Sequence, residues 1–176
     1  MAETKRLTIA PCSQADAADL REIVRDPMVA NLFFVGRSTE VDYREAIAEY
    51  MEGDWQQHGR LHLAARTHSG IVVGGVSFNR IPREADSLLS YFVSPRLWCR
   101  GYGMEMVTAA CSALPVELGV RTIEATVIRE NSGSKRILEK LGFRFCGIYQ
   151  DSGGVEFAPM LRYRLVGQLE TTPGYT

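Results

Sequence analysis

The chain has 176 residues, of which 45% are hydrophobic, so it can bury a full core and is most simply one domain. Its formal net charge of −1 argues against partners bound by phosphate neutralisation, because nucleic acids and anionic membranes attract a surplus of Lys and Arg. The sequence has neither an apolar run long enough to span a bilayer nor a hydrophobic leader, so we expect a cytoplasmic protein with no nucleic-acid or membrane partner.

Hydrophobic periodicity and helix-end signals divide the chain into alternating helices and strands. In the first half they predict a strand at 7–9, a helix from Ser13 to 24 that Pro27 ends, a helix from 39 to 57, and a hairpin of strands at 61–66 and 71–81. In the second half they predict a strand at 88–93, a helix that Pro115 kinks or stops near 113, a strand at 122–128, a helix at 132–141, and a hairpin of strands at 143–150 and 155–166. The order is a mixed αβ pattern that ends with a hairpin.

Some side chains in these elements carry expectations of their own. Gly74 and Gly75 suggest a β-bulge in the first hairpin. His62 alternates with Leu61 and Leu63, which predicts that it faces solvent. The four cysteines are widely spaced and form no Cys-x-x-Cys pair, so we expect neither a disulfide framework nor a metal.

The most informative stretch is 97–105, where Gly101 and Gly103 lie between an apolar strand and a helix. Free N–H groups at a helix start carry partial positive charge, and glycine lets a ligand approach the backbone closely, so this turn suits a diphosphate. Taken alone, the glycine pair is better explained by an ordinary tight strand-to-helix connection, because so short a motif is weak. A dinucleotide-binding fingerprint fits less well, because Met106 stands where a third glycine is needed.

A second group of motif residues lies at 130–143. Together with the stretch at 97–105, it resembles the GNAT acetyltransferases. The closest resemblance is to the branch that acetylates the N-termini of ribosomal proteins. The first motif is matched by Trp98, Gly101, Tyr102, Gly103 and Glu105. The second is matched by Asn131, Ser134, Leu138, Glu139, Lys140, Gly142 and Phe143, and the opening residues 5–11 also fit.

This resemblance implies an α+β fold, a mixed α/β arrangement with a splay between central strands. Its central sheet would be twisted and mostly antiparallel, with about seven strands flanked by about four helices. It implies one catalytic domain over 6–167 and a flexible C-terminal tail over 168–176. The edge strands of such an open sheet can pair with a second copy of the chain, and the sequence does not decide whether a homodimer forms.

The resemblance also implies how acetyl-CoA is bound. The pantetheine arm runs like an added strand along the backbone of Phe92 and Val93, and the diphosphate meets the amides of 99–104. Arg96, Lys135 or Arg136 would reach the phosphate on the ribose, and the sequence does not decide between them. The residues predicted to bind the cosubstrate are Phe92, Val93, Trp98, Cys99, Arg100, Gly101, Tyr102, Gly103, Met104, Asn131, Ser134 and Arg136.

The implied reaction is direct attack of a neutral amine on the thioester, with the oxyanion met by a backbone N–H near Val93. Ser134 is the implied hydrogen-bond donor to the departing thiolate, because Leu138 stands where many relatives carry Tyr. Asp151 is the preferred base, with Glu156 and Glu124 as alternatives, and a plain surface role also explains each carboxylate.

The acceptor side is less defined than the cosubstrate side. Ala10, Ser90 and Ala158 depart from the branch pattern, so the acceptor is either a protein N-terminal α-amine or a small-molecule amine. The expected function is acetyl-CoA-dependent N-acetyl transfer to a primary amine. Two alternatives stay open: a GNAT enzyme that uses another acyl-CoA, and a non-catalytic acyl-CoA-binding module.

Overall fold

The computed structural model describes residues 1–33, 55–81, 87–149 and 159–166. The strands are β1 (Ala2–Glu3), β2 (Leu7–Pro11), β3 (Arg60–Thr67), β4 (Val72–Arg80), β5 (Ser87–Val93), β6 (Thr122–Ile128), β7 (Arg144–Tyr149) and β8 (Met160–Val166). The α-helices are α1 (Ala17–Arg25), α2 (Pro27–Phe33), α3 (Trp55–His58), α4 (Tyr102–Glu117) and α5 (Ser132–Lys140). Short 3₁₀ helices lie at Gln14–Asp16 and Pro95–Leu97.

All the described strands belong to one eight-stranded sheet with the order β1-β2-β3-β4-β5-β6-β8-β7. Among them only β5 and β6 pair in parallel, and the other neighbours are antiparallel. The predicted α+β fold with a mostly antiparallel sheet is confirmed. Within the described ranges it has eight strands and five α-helices, one of each more than the sequence suggested.

The parallel pair is short, and this creates the feature that positions the site. Its partners are only Ser87 with Ile123 and Leu88 with Glu124. Strand β5 nevertheless runs on to Val93, and β6 runs on to Ile128. The two strands therefore diverge after these two paired positions, which is the predicted splay. We call the space between them the slot.

The first hairpin contains the predicted bulge. The register changes between Ala65, which faces Gly74, and Arg66, which faces Val72. A Cβ atom at Gly74 would lie 2.1 Å from the carbonyl oxygen of Phe92, so a side chain here would push β4 away from β5. Glycine thus keeps β4 against the strand that borders the slot.

Helices cover both faces of the sheet, and this corrects the expectation for His62. One core cluster packs under α4 and α5, and a second, centred on Leu20, Val24 and Phe92, packs under α1 and α2. His62 is only 8% exposed, so the prediction that it faces solvent was wrong. Burial, together with the charge of Arg60, lowers the pKa of His62 to about 4.

Two prolines behave differently from the sequence expectation. Pro27 does follow the end of α1 at Arg25, but it is also the first residue of α2, a position where its missing N–H costs nothing. The backbone N–H of Met28 donates to Oδ1 of Asp26 (2.9 Å) at this helix start. Helix α4 continues through Pro115 to Glu117, so the early stop near 113 does not occur, and the kink stays a prediction.

Of the helix predicted at 39–57, only its last turn falls on described residues, as α3. Residues 39–54 lie outside the described residues, as does the tail predicted at 168–176. Within the described part of the chain, no helix combines the length and the apolar character needed to cross a bilayer.

Candidate functional site

The connection from β5 to α4 has the backbone of an anion site. Cys99 and Gly101 both adopt left-handed conformations, with φ angles of 59° and 81°, on either side of Arg100. Alternation of this kind curves successive N–H groups around one point, and the start of α4 adds its unpaired amides and its dipole. Because left-handed backbone is costly for a residue such as Cys99, the surrounding structure must hold it in place. We call residues 98–103 the glycine turn.

Arg6, which directly precedes β2, supplies much of that support. Its Nε donates to Oε2 of Glu105 (2.6 Å), and its Nη1 donates to the carbonyl oxygen of Arg100 (3.0 Å). Its guanidinium also lies 4.3 Å from the ring centroid of Tyr102. One side chain from the start of the chain thus contacts the middle of the glycine turn and the first turn of α4.

Glu105 is the acidic centre of this arrangement. Its Oε1 accepts hydrogen bonds from Oγ1 of Thr4 (2.5 Å) and from the backbone N–H of Arg6 (3.0 Å). Burial alone would raise the pKa of this carboxyl, but the hydrogen bonds from Thr4 and Arg6 together hold it below the ordinary value. Glu105 is therefore ionised at neutral pH, next to the N-terminus of α4, where negative charge is favoured.

The contact to Arg100 sets the direction of the next amide. In a trans peptide the carbonyl of one residue and the N–H of the next point to opposite sides, and the chain has no cis peptide bonds among its described residues. Since the Arg100 carbonyl points at Arg6, the N–H of Gly101 points away from Arg6. Arg6 thereby directs a backbone donor to the opposite side of the glycine turn.

The last residues of β5 present alternate backbone groups to the slot. The N–H of Ser94 donates to the Val73 carbonyl (2.8 Å), so Ser94 faces β4, and by alternation Phe92 does too. The N–H and C=O groups of Tyr91 and Val93 point the other way, toward the slot. Of these, the Val93 carbonyl already accepts a hydrogen bond from Nε1 of Trp98 (2.7 Å). The backbone contact expected at Phe92 is therefore better met by Tyr91, with the Val93 N–H beside it.

Gly103 lies at the narrow point between β5 and α5. A Cβ atom there would lie 3.2 Å from Cδ1 of Ile137 and 3.4 Å from Cγ2 of Val93. A small side chain would need its neighbours to move by a few tenths of an ångström, and a larger one would fill the space between them. The absence of a side chain at Gly103 lets the start of α4 pack closely against Val93 and Ile137, beside the glycine turn.

On the far side of the slot, Asn131 and Ser134 begin α5. Oδ1 of Asn131 accepts the backbone N–H of Ser134 (3.0 Å), so Asn131 caps the N-terminus of α5. Oγ of Ser134 lies 2.7 Å from the phenol oxygen of Tyr91, whose side chain reaches across from β5. The structure thus brings Asn131 and Ser134 to the slot, together with a tyrosine that sequence reasoning did not identify.

The candidate bases have different outcomes. Glu124 is 6% exposed and is paired with Arg162 (3.4 Å) and Arg164 (3.1 Å). It also faces the closed end of the β5–β6 pair, so its position and its two cationic partners disfavour it as a base. Asp151 and Glu156 lie outside the described residues.

The basic residues near the turn are not equivalent. Nζ of Lys135 donates to the Arg129 carbonyl (2.6 Å), and Arg96 pairs with Glu22 at 3.5 Å on the surface. The side chains of Arg100 and Arg136 are exposed, and Arg136 is next to Ile137, which approaches Gly103. The choice among Arg96, Lys135 and Arg136 for the ribose phosphate stays a prediction.

A groove of about 950 Å³ lies beside α1, between its charged residues and the turns at 69–72 and 94–97. None of Tyr91, Ser134, Gly101 and Gly103 lines it. It is therefore separate from the slot described above.

The diverging edge of β5, the glycine turn and the Asn-capped start of α5 border one slot. Residues 6–144 match the family model described as "Acetyltransferase (GNAT) domain", so the chain belongs to the GNAT acetyltransferases. No sequence match was found among curated proteins.

Solved structures share this fold at low identity. A GNAT-family acetyltransferase from Bacillus anthracis is 23% identical, with a TM-score of 0.77 over 94% of this chain and 97% of the other. RimJ from Mycobacterium smegmatis, in complex with CoA-disulfide, is 19% identical, with a TM-score of 0.74 over 96% and 84%. Spermidine N-acetyltransferase from Vibrio cholerae, in complex with CoA and spermine, is 12% identical, with a TM-score of 0.76 over 93% and 97%. The fold is thus shared with the ribosomal-protein branch and with a polyamine enzyme alike.

Proposed function

We propose that this protein is an acetyl-CoA-dependent N-acetyltransferase that transfers an acetyl group directly to a primary amine. The observation that carries the proposal is the junction of two features on one strand. Strand β5 leaves its parallel partner after Leu88 and leads, past Val93, into the glycine turn. An extended arm can lie along the open edge while its diphosphate reaches the amides at the start of α4.

In this proposal the chain's own groups bind and orient the cosubstrate. Acetyl-CoA, when bound, supplies an activated acetyl thioester. The backbone of Tyr91 and the N–H of Val93 hold the arm and place a donor where negative charge develops on the carbonyl oxygen. The amides of 99–104 and the exposed Arg100 and Arg136 receive the phosphates.

Two further contacts complete the site in the proposal. Ser134 donates a hydrogen bond to the sulfur as it leaves, and Asp151 is kept as the proposed base. The demand for a base depends on the acceptor, since a protein α-amine with a pKa near about 8 is partly neutral at pH 7, whereas a lysine-like amine near about 10.4 is not. The CoA complexes named for the RimJ and spermidine enzymes support the cosubstrate, and their different names keep both acceptor classes open. Cytoplasmic location and a homodimer stay predictions.

The test is release of free thiol from acetyl-CoA in the presence of a panel of N-terminal peptides, polyamines, aminoglycosides and amino acids. The proposal expects thiol release that depends on one acceptor class, with an equal amount of acetylated product by mass spectrometry. Preference for propionyl-CoA or a larger acyl-CoA over acetyl-CoA would support the alternative acyl group. Tight CoA binding without turnover of any amine or any acyl-CoA would show a binding module instead.

A further inference from the structure

Two hydroxyl groups meet across the slot, and the sequence analysis assigned a role to only one of them, that of Ser134. The Tyr91 phenol oxygen lies 2.7 Å from Oγ of Ser134 and 3.4 Å from its carbonyl oxygen. Tyr91 lies three residues beyond Leu88, the last residue of β5 that pairs with β6, so its side chain spans the region where the strands have diverged. The contact joins the strand on one side of the slot to the helix on the other.

The direction of this hydrogen bond follows from the chemistry of its partners. A phenol, with an ordinary pKa of about 10, is a far better proton donor than an aliphatic alcohol, and an alcohol oxygen is the better acceptor. Burial raises the pKa of Tyr91, so the phenol keeps its proton throughout the physiological range. Tyr91 therefore donates, and Ser134 accepts through one lone pair of its oxygen.

The remaining groups of Ser134 are also committed. The backbone N–H of Ser134 donates to Oδ1 of Asn131 (3.0 Å), and Ser134 lies in the first turn of α5. With Tyr91 donating to Oγ, the serine cannot turn its own proton back toward the phenol. That proton is left for a third acceptor in the slot.

We propose that Tyr91 is a positioning residue that directs the Ser134 O–H toward the sulfur of bound coenzyme A. The inference rests on the proposed function. When the C–S bond breaks, its electron pair goes to sulfur, and the serine stabilises the thiolate by a hydrogen bond. Neither hydroxyl has to lose its proton, and the proton of the attacking amine passes to water or to the base. Two hydrogen bonds in series polarise each other, so the phenol also strengthens the bond that the serine makes.

The inference predicts a graded and non-additive pattern of rates. Ser134→Ala should lower kcat about tenfold to a hundredfold, which is at or below the low end of what general acid–base catalysis contributes. Tyr91→Phe should lower kcat about threefold to tenfold with little change in KM for acetyl-CoA, because only the direction and strength of one bond are lost. The double variant should be no slower than Ser134→Ala, since Tyr91 acts through Ser134.

A spectroscopic readout separates positioning from a general effect on the fold. The thiolate of CoA absorbs in the ultraviolet, so the pKa of the enzyme-bound CoA thiol can be read from a pH titration, with the same titration of the free enzyme subtracted. Cys111 faces Tyr91 but stays protonated, because burial raises its pKa to about 12. The bound thiol should have a lower pKa in the wild type than in Tyr91→Phe or Ser134→Ala.

Tyr163→Phe is the matched control. Tyr163 is a buried tyrosine whose phenol also donates to α5, at Glu139 (3.1 Å), but outside the slot. If Tyr91 acted only by anchoring α5, both tyrosine variants would behave alike, and the inference would be overturned. It would also be overturned if Tyr91→Phe changed neither kcat nor the bound-thiol pKa. Failure of the wild type to acetylate any amine would instead refute the proposed function, and the thiol titration would still report on the hydroxyl pair.

Discussion

Replacing Arg6 by lysine should weaken the binding of coenzyme A while leaving the chain folded. Lysine keeps the positive charge but offers one compact ammonium instead of a planar fork. It cannot contact both the Glu105 carboxylate and the Arg100 carbonyl as Arg6 does at 2.6 Å and 3.0 Å. The Arg100–Gly101 peptide then loses the contact that turns the Gly101 N–H away from Arg6.

The expected size follows from what is lost. The Arg6 side chain is 40% exposed and that of Glu105 is 17% exposed, so the ion pair itself is partly screened by solvent. Besides the bond from Nε, Nη2 of Arg6 also contacts Oε2 of Glu105 (2.5 Å). The loss of one of these two bonds and of the Arg100 contact should lower the free energy of unfolding by about 1–2 kcal/mol. If one amide no longer meets the diphosphate, the binding free energy of CoA should weaken by about 1 kcal/mol or slightly more, which raises Kd about fivefold to tenfold.

The assay is isothermal titration with CoA, alongside steady-state kinetics with acetyl-CoA and with acetyl-pantetheine, which lacks the diphosphate. Arg6→Lys should raise Kd for CoA and lower kcat/KM for acetyl-CoA, but should leave kcat/KM for acetyl-pantetheine unchanged. Arg25→Lys is the control, because Arg25 is exposed in the last turn of α1 and lines the groove that is separate from the slot. An unchanged Kd, or an equal loss with acetyl-pantetheine, would refute the role given to Arg6.

Two predictions concern stability. Gly74→Ala should lower the free energy of unfolding by about 1–3 kcal/mol, because its Cβ would lie 2.1 Å from the Phe92 carbonyl oxygen. Urea denaturation measures this loss. Gly133→Ala is the control and should show no such loss, because its Cβ would lie 3.7 Å from the nearest atom, Oδ1 of Asn131. Asp16 is buried and bonded to Arg66, and although burial opposes it, the bonds from Arg66 hold its pKa below the ordinary value. The stabilisation by Asp16 is therefore present above the unfolded-state pKa of about 3.9 and is lost as the pH falls through the lower folded pKa. Asp16→Asn should lower the free energy of unfolding at pH 7 and approach the wild type in acid. An equal difference in unfolding free energy between wild type and variant at pH 7 and at pH 3 would contradict this.

The parts of the fold that were predictable depend on local signals. The turn at Gly101 and the cap at Asn131 are encoded within a few residues, because only glycine takes φ = 81° cheaply and an Asn side chain readily caps a following helix. The bulge beside Gly74 was indicated by the glycine pair within a strand, because such glycines often mark a bulge. These signals predict the glycine turn and the start of α5, and the resemblance to the GNAT acetyltransferases implies that the two lie on either side of one space.

The parts that were not predictable depend on distant contacts. Strand alternation around His62 shows two faces but not which face a helix covers, and α1 and α2 cover the face that alternation left to solvent. The contacts from Arg6 to Glu105 and from Tyr91 to Ser134 join residues 99 and 43 positions apart. No periodicity or motif spacing encodes such a pair, although Arg6 and Glu105 each stood within the matched motifs.

The most direct test of the account is the dissociation constant of CoA for Gly103→Val, measured beside Gly103→Ala and the wild type, with circular dichroism to verify folding. Valine would fill the space between Val93 and Ile137, whose atoms lie 3.4 Å and 3.2 Å from the Cβ position. If CoA occupies the slot and the glycine turn, alanine should weaken binding slightly and valine should weaken it by about a hundredfold or more, the loss of roughly 3 kcal/mol. A folded Gly103→Val variant that binds CoA as tightly as the wild type would contradict the account.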